Sequence, residues 1–180
     1  MKADAAFRDL ILGAIPSLRA FAISLTNDPV RADDLVQDTI LRAWSNAERF
    51  ESGTNINAWL FTILRNLFHS EYRKQRREVE DADGSYAARL KTHPEQQAHL
   101  DFDDFRAALA KLSADHREAL LLVGAEGLSY EEAAAVCGVA VGTIKSRVNR
   151  ARARLAELLN VQSDSEIGPD DLVKAIVAPS

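Results

Sequence analysis

The sequence holds a single cysteine, Cys137, among its 180 residues, so no disulfide can form within the chain. No apolar run approaches the roughly 18 residues that a membrane-spanning helix needs. The first ten residues, MKADAAFRDL, contain neither a long apolar core nor a cleavage-site pattern, which argues against a signal peptide. These absences predict a cytoplasmic protein.

Strand patterns are almost absent as well, whereas apolar residues recur at helical spacing along most of the chain. The sequence therefore predicts an all-α fold. Residues 4–26 form an amphipathic stretch that we expect Pro16 to break or kink. Asp28 and Pro29 suit the cap and first position of a helix reaching about residue 47. After a loop at 50–55, a third helix is expected over 57–77.

Charge divides the chain into blocks. The whole sequence is acidic, with 22 Lys+Arg against 27 Asp+Glu and a net charge of −5. Residues 65–77 nevertheless carry five cations and one acid, whereas residues 78–104 carry eight acids and two cations. We therefore predict a helical domain over 1–77, an acidic linker over 78–100, a second domain over 101–160 and a tail over 161–180 without an interpretable motif.

The second domain contains a helix-turn-helix pattern. Ser129 and Glu132 have the spacing of a capping box at the start of a short helix. Gly138 suits a left-handed turn at its end. A basic helix follows, and its segment 142–154 holds one lysine, four arginines and no acid. A capped short helix, a tight turn and a longer basic helix are typical of DNA-binding domains.

A helical projection of residues 142–155 places Ile144, Val148, Ala151 and Leu155 on one stripe, which must face the core. Residues on the opposite face can approach base edges, and flanking cations can contact phosphates. Geometry alone favours Lys145, Ser146, Asn149 and Arg150 as the base-reading residues. The flanking residues are Thr143, Arg147, Arg152 and Arg154. The alternatives are a solvated basic face or a surface for an acidic protein partner.

Two further surfaces stand out in the first domain. Aromatic residues alternate with cations in 56–77, a mixture that can stack on unpaired bases and hold their backbone; Trp59 and Phe68 also suit a core. Residues 31–44 carry Asp33, Asp34, Gln37 and Asp38, with Asp34 and Asp38 one helical turn apart. This acidic face could dock a basic partner, or it could simply be solvated.

Catalytic and metal-binding patterns are lacking. The four histidines show no paired ligand spacing, and Cys137 has no second cysteine nearby. Asp101, Asp103 and Asp104 lack the glycine and the later glutamate of a calcium loop. We therefore expect no enzyme activity, no cofactor, no metal and no small-molecule substrate, and we expect Cys137 to be a small buried residue.

Four segments together resemble extracytoplasmic-function (ECF) sigma factors of the sigma-70 family: ADDLVQDT (32–39), NAWLFTILRN (57–66), SYEEAAAVCG (129–138) and VGTIKSRVNRARARL (141–155). The resemblance covers about residues 5–160. The segment from Phe50 to Asp81 and the GAEGLSYEEAA segment are similar to the EcfG-like group of the general stress response. One departure is Ser113, where many members have proline, although serine can cap the helix instead.

The resemblance implies two helical domains, sigma regions 2 and 4, joined by a flexible linker. It implies that the face with Asp33, Asp34, Gln37 and Asp38 docks on the β′ clamp helices of core RNA polymerase. Residues 50–57 and the following helix would recognise and open the −10 element. The basic helix would read the −35 element, and an anti-sigma factor would hold both domains. The −10 residues so implied are Asn55, Asn57, Arg65, Tyr72, Arg73 and Lys74.

Two other functions fit parts of the sequence. A sigma-like mimic that sequesters an anti-sigma factor would need the protein-binding surface but not the DNA contacts. This chain carries a basic recognition helix and no receiver domain, which favours a working sigma factor. A free-standing helix-turn-helix regulator would use residues 101–160 and would leave the first domain unexplained.

Overall fold

The structure is a computed structural model that describes residues 5–81 and 100–159. Both parts are helical, with no strand among these residues, as the sequence predicted. The first helical unit consists of α1 (Ala5–Thr26), α2 (Pro29–Ser45) and α3 (Ile56–Asp81), with a short 3-10 turn at Ala47–Arg49. The second helical unit consists of α4 (Leu100–Ala110), α5 (Ala114–Leu120), α6 (Tyr130–Cys137) and α7 (Val141–Leu158).

The first helical unit is a three-helix bundle in which each helix packs against the other two. Phe21 of α1 and Phe61 of α3 meet edge to face, with ring centroids 4.9 Å apart, and both side chains are buried. At the other end of the bundle, Phe7 lies between Phe50 and Trp59 at centroid distances of 5.7 and 6.2 Å. Trp59 is therefore partly a core residue, and this packing fixes the start of α3.

Helix α1 is not broken at Pro16, contrary to one of the two outcomes expected from the sequence. Proline removes one helical hydrogen bond, but α1 buries residues on both sides of it, including Ala14 and Leu18, and this packing keeps the two halves in one helix. By length and composition alone, α1 is also long and apolar enough to span a membrane. Its burial against α2 and α3 explains that apolar character as a core face.

Helices α2 and α3 begin where the sequence predicted and end elsewhere. The Asp28 carboxylate accepts hydrogen bonds from the backbone N–H groups of Val30 and Arg31, and Pro29 occupies the first turn. Helix α2 ends at Ser45, two residues early, because the chain tightens into the 3-10 turn. Helix α3 continues to Asp81, so it extends into the segment that charge alone marked as linker. The rest of the predicted linker, residues 82–99, lies outside the described residues.

The second helical unit has the predicted caps. The Ser113 hydroxyl accepts from the His116 N–H, and Ser129 and Glu132 form the capping box from both sides. Gly138 ends α6 with φ +66°. After α5 the chain widens into a π-helical turn at Leu121–Ala125, which the sequence did not predict. Helices α6 and α7 then pack together as a helix-turn-helix supported by α5.

The two helical units are in contact. Helix α3 packs against α6, and α1 packs against α5. The Asn55 amide donates to the Glu132 carboxylate at 2.9 Å, and Arg65 Nε donates to Glu118 Oε1 at 2.7 Å. The described residues therefore form a closed arrangement, in which polar side chains link the helix-turn-helix to α3.

The turn at Gly138 is testable by substitution. A Cβ added at Gly138 or at Gly142 would meet no atom within 4 Å, but only Gly138 has a left-handed backbone. Because that conformation is strained for other residues, we expect Gly138→Ala to lower the free energy of unfolding by about 1 kcal/mol. Urea unfolding followed by circular dichroism measures the change.

Gly142→Ala is the matched control, because Gly142 lies inside α7 and alanine favours helix. We expect this control to leave the free energy of unfolding unchanged or slightly higher. Equal losses in the two variants would contradict the assignment of the cost to the backbone at Gly138.

Candidate nucleic-acid and polymerase interfaces

The basic helix α7 is anchored by the predicted apolar stripe. Its buried residues are Ile144, Val148, Ala151 and Leu155. Thr143, Lys145, Asn149 and Arg150 are exposed, and Ser146 is half-buried. Because the stripe fixes the rotation of α7 about its axis, the four residues favoured for base reading stay on the side that faces away from the core.

The cations of α7 differ in their surroundings. Arg147 Nη2 bonds Asp115 at 2.6 Å, and its side chain is only 19% exposed. Arg154 bonds Glu157 at 2.9 Å on the helix surface. The Lys145 ammonium lies over the Tyr130 ring of α6, 5.7 Å from its centre, which is within cation–π range. Arg150 is exposed, as Lys145 is, and it belongs to neither of these two ion pairs.

Helix α3 meets the second unit through a cluster of charges. Arg65 and Glu118 form an ion pair whose side chains are 18% and 3% exposed. Burial raises the pKa of Glu118, and the favourable charge of Arg65 only partly offsets that cost. His69, one turn further along α3, has a buried Nε2 without a hydrogen-bond partner among the described residues. Burial and the neighbouring Arg65 lower its pKa.

Some of the remaining predicted −10 residues lie at the contact between α3 and the second helical unit, and the others are partly or fully exposed to solvent. Asn55 caps α3, because its side-chain oxygen accepts from the Asn57 N–H at 3.0 Å while its amide donates to Glu132. Asn57 is half-buried, whereas Tyr72, Arg73 and Lys74 are exposed further along α3. Asn55 and Arg65 are thus engaged by carboxylates, and Tyr72 with its neighbours faces solvent.

A recess between α2 and α3 holds two arginines, Arg42 and Arg49, that the sequence did not point to. It has a volume of about 270 Å3 and combines cationic, amide and aromatic side chains. Arg42 and Arg49 come from α2 and the 3-10 turn, outside the basic blocks, so charge clustering could not find them. The lining residues are Arg42, Asn46, Arg49, Trp59, Ile63, Asn66, Leu67 and Ser70.

On the acidic face of α2, three of the four predicted polymerase-binding residues are exposed and one is bonded to α1. Asp34, Gln37 and Asp38 are exposed, whereas Asp33 is half-buried and accepts a 2.6 Å bond from Arg19 of α1. Two exposed apolar residues, Val30 (71%) and Leu41 (65%), share the face of Asp34 and Gln37 at helical spacing. Acids combined with uncovered apolar side chains are typical of a protein-binding face.

No metal centre is evident in residues 5–81 and 100–159, which contain no group of three or more His, Cys, Asp or Glu side chains placed to hold an ion. Cys137 is buried, as expected, and burial raises the pKa of its thiol to about 12. A thiol with so high a pKa is a poor nucleophile near neutral pH.

Comparison with known proteins agrees with both halves of this geometry. Residues 10–78 match the Sigma-70 region 2 family, and residues 102–155 match the Sigma-70, region 4 family. The chain is 66% identical to the ECF RNA polymerase sigma factor EcfG of Rhodopseudomonas palustris over 94% of each sequence. The chain belongs to the ECF sigma factors. The first helical unit is therefore region 2, and the second is region 4.

Two solved structures of known proteins are similar to this ECF chain. The sigma factor RpoE of Bartonella quintana, in complex with the anti-sigma factor NepR, is 55% identical to this chain with a TM-score of 0.79. The match covers 88% of this chain and 99% of RpoE. The anti-anti-sigma factor PhyR of the same organism, also in complex with NepR, is only 18% identical with a TM-score of 0.53. The match covers 83% of this chain and 49% of PhyR, and it shows a shared fold alone.

The contact between regions 2 and 4 is testable through its ion pair. Glu118→Ala would leave Arg65 buried without its carboxylate, and breaking one partner of a buried pair costs several kcal/mol. We therefore expect this variant to open the contact and raise the radius of gyration measured by small-angle X-ray scattering.

Exchanging the charges, Arg65→Glu with Glu118→Arg, should restore much of the closed arrangement. The Arg8–Asp9 pair is exposed, so Arg8→Ala should change nothing. If the Glu118→Ala chain stays as compact as the parent, the ion pair does not hold the two regions together.

Proposed function

We propose that this ECF sigma factor binds core RNA polymerase, directs it to stress-response promoters and is controlled by an anti-sigma factor in the cytoplasm. It is not itself an enzyme. The observation that carries this proposal is the coexistence, in one chain, of a supported helix-turn-helix with an open basic face and a bundle with an acidic, partly apolar docking face. A regulator of DNA alone needs the first surface but not the second.

Region 4 reads the −35 element through α7. The base-facing positions Lys145, Ser146, Asn149 and Arg150 lie where a recognition helix meets the major groove. Thr143 at the start of the helix, with Arg152 and Arg154 on its flanks, suits phosphate contacts. Arg147 is different, because its bond to Asp115 makes it a residue that ties α7 to α5 and positions the recognition helix.

Region 2 recognises the −10 element along α3. Tyr72, Arg73 and Lys74 offer an exposed ring and two cations to a single strand. The recess lined by Trp59, Asn66 and Arg49 adds a pocket with the chemistry to hold an unstacked base: an indole, an amide and a cation. Asn55, Asn57 and Arg65 contribute once region 4 has moved away.

Polymerase binding is the step that separates the two regions. Asp34, Gln37 and Asp38, bracketed by Val30 and Leu41, dock on the β′ clamp helices, whereas Asp33 stays bonded to Arg19. In the closed arrangement Asn55 and Arg65 are occupied by Glu132 and Glu118, so promoter opening requires region 4 to leave α3. Polymerase then presents both DNA-binding surfaces at once and raises their effective concentration.

Anti-sigma control rests on the relatives. The RpoE structure at 55% identity contains an anti-sigma factor, and the relative at 66% identity is an EcfG sigma factor. The mimic function is disfavoured, because the likeness to PhyR is 18% and the basic face of α7 is intact. A free-standing regulator would leave the acidic face of α2 without a role.

Run-off transcription tests the proposal as a whole. Purified chain and core polymerase should transcribe a stress promoter, and added anti-sigma factor should suppress the product. Anti-sigma binding without specific transcription would favour the mimic. Operator binding that needs no polymerase would favour the free-standing regulator.

Arg150 tests the reading of the −35 element. One bidentate arginine contact to guanine is worth about 1–3 kcal/mol, so Arg150→Ala should lower affinity for the specific −35 duplex by about 5- to 150-fold. Fluorescence anisotropy at fixed salt measures this. Arg154→Ala should give a smaller loss, since Arg154 already bonds Glu157. That loss should be equal for specific and scrambled DNA, because Arg154 is assigned to a phosphate. Unchanged discrimination in Arg150→Ala would remove Arg150 from the base-reading set.

Asp38 tests the polymerase interface. Asp38→Arg reverses one charge on the exposed face of α2, and an unfavourable charge at an interface weakens association. We expect loss of core polymerase binding in a pull-down and loss of run-off product. Glu48→Arg makes the same change on the exposed 3-10 turn and should bind normally. Normal binding by Asp38→Arg would place the polymerase surface elsewhere.

A further inference from the structure

The described residues leave a groove open where the two regions meet. It has a volume of about 420 Å3 and a mostly apolar lining. One wall comes from α1, with Phe21 and Ile23, and the other from region 4, with Phe105, Leu109 and Leu121. A groove that exposes apolar walls from both regions is a place where another segment can bind.

One lining residue lacks a partner. Arg117 is only 7% exposed, and its Nε and Nη1 atoms are buried without a hydrogen-bond partner among the described residues. Burial lowers its pKa. Burying an unpaired cation costs free energy, so such groups are normally paired. An anion bound in the groove would pair with the Arg117 guanidinium and remove this cost.

The other charged residues of the groove do not supply that anion. Burial raises the pKa of the Glu126 carboxyl, and the nearby Ser17 hydroxyl only partly offsets this effect. Glu126 accepts no hydrogen bond from Nε or Nη1 of Arg117. Arg19 is paired with Asp33, and Arg106 adds a further exposed cation to the lining. A carboxylate with apolar neighbours would match both the unpaired Arg117 guanidinium and the apolar walls.

The chain itself carries such a segment. Residues 160–180, outside the described residues, contain four acids and one lysine, and Asp170 and Asp171 directly precede the mainly apolar run LVKAIV. The segment starts just after α7, which packs against α5, the helix that holds Arg117. Twenty-one residues can extend to about 70 Å, far beyond the distance to a neighbouring helix.

We propose that residues 170–177 occupy this groove, with a carboxylate of Asp170 or Asp171 on Arg117 and the following apolar side chains against α1 and α4. The occupant is the chain's own C-terminal segment. Because the groove has walls from both regions, its occupation stabilises the closed arrangement and opposes the release of α3. The proposal is independent of which promoter or anti-sigma factor the protein uses.

Disulfide trapping in the full-length chain tests this. One chain carries Val177→Cys with Ala110→Cys, which is exposed at the groove. The matched control carries Val177→Cys with Leu41→Cys, about 18 Å along α2 from the groove residue Pro29. The native Cys137 thiol is buried and should react little. We expect the groove pair to cross-link within one chain at least about tenfold faster, since docking raises the effective concentration.

Charge removal supplies the second arm. Arg117→Met keeps a similar shape without charge, and Asp170→Asn with Asp171→Asn changes only the tail, so folding of the body is not at risk. Either change should bring the groove pair down to the control rate. Equal rates for the two cysteine pairs, or rates unaffected by both charge changes, would overturn the proposal. A product joining two chains would also overturn it and assign the groove to a second copy.

Discussion

The ion pair between Arg65 and Glu118 is the constraint on which the closed arrangement depends. It joins the helix proposed to engage the −10 strand to the helix that supports the −35 reader, in a site where neither group is well solvated. Burial outweighs the attraction of Arg65 in its effect on Glu118, whose pKa is raised. A buried pair of this kind defines which surfaces meet while contributing little net free energy. Such a contact is specific and yet weak enough to be opened by a partner, as the proposed binding of polymerase requires.

Charge explains why such a contact suits this protein. Region 4 presents carboxylates of Glu118 and Glu132 to the same residues, Arg65 and Asn55, that we assign to promoter DNA. A carboxylate can hold a guanidinium or an amide in the place a phosphate would take. The net charge of −5 adds a general repulsion from nucleic acid. Both effects oppose indiscriminate DNA binding by the free chain, while the face of α7 that we propose for the −35 element stays exposed.

Much of this fold could be predicted because its signals are local. Caps at Asp28, Ser113 and Ser129 and the turn at Gly138 depend on residues a few positions apart, and the buried stripe of α7 follows from helical spacing alone. The ion pair of Arg65 with Glu118 spans 53 positions, and the bond of Asn55 with Glu132 spans 77. Helical periodicity relates residues a few positions apart, so it cannot predict pairs that are this distant in the sequence. The recess with Arg42 and Arg49 was missed for the same reason, since its residues cluster only after α2 and α3 pack.

The neighbouring residues Arg117 and Glu118 show how burial assigns different roles to adjacent charges. Both are buried on α5. Helical spacing turns consecutive side chains by about 100°, so Glu118 faces α3, where Arg65 balances it, while Arg117 faces the groove beside α1, where the described residues leave it unbalanced. Helix α5 thus contributes a buried carboxylate, Glu118, to its interface with α3 and a buried guanidinium, Arg117, to the groove beside α1. If an acidic segment fills the second interface, both faces of α5 hold region 4 closed, and opening has to release both. If the groove stays empty, the cost of burying Arg117 favours opening instead. On this proposal, the occupancy of the groove influences how readily region 4 releases the residues of α3 that we assign to promoter DNA.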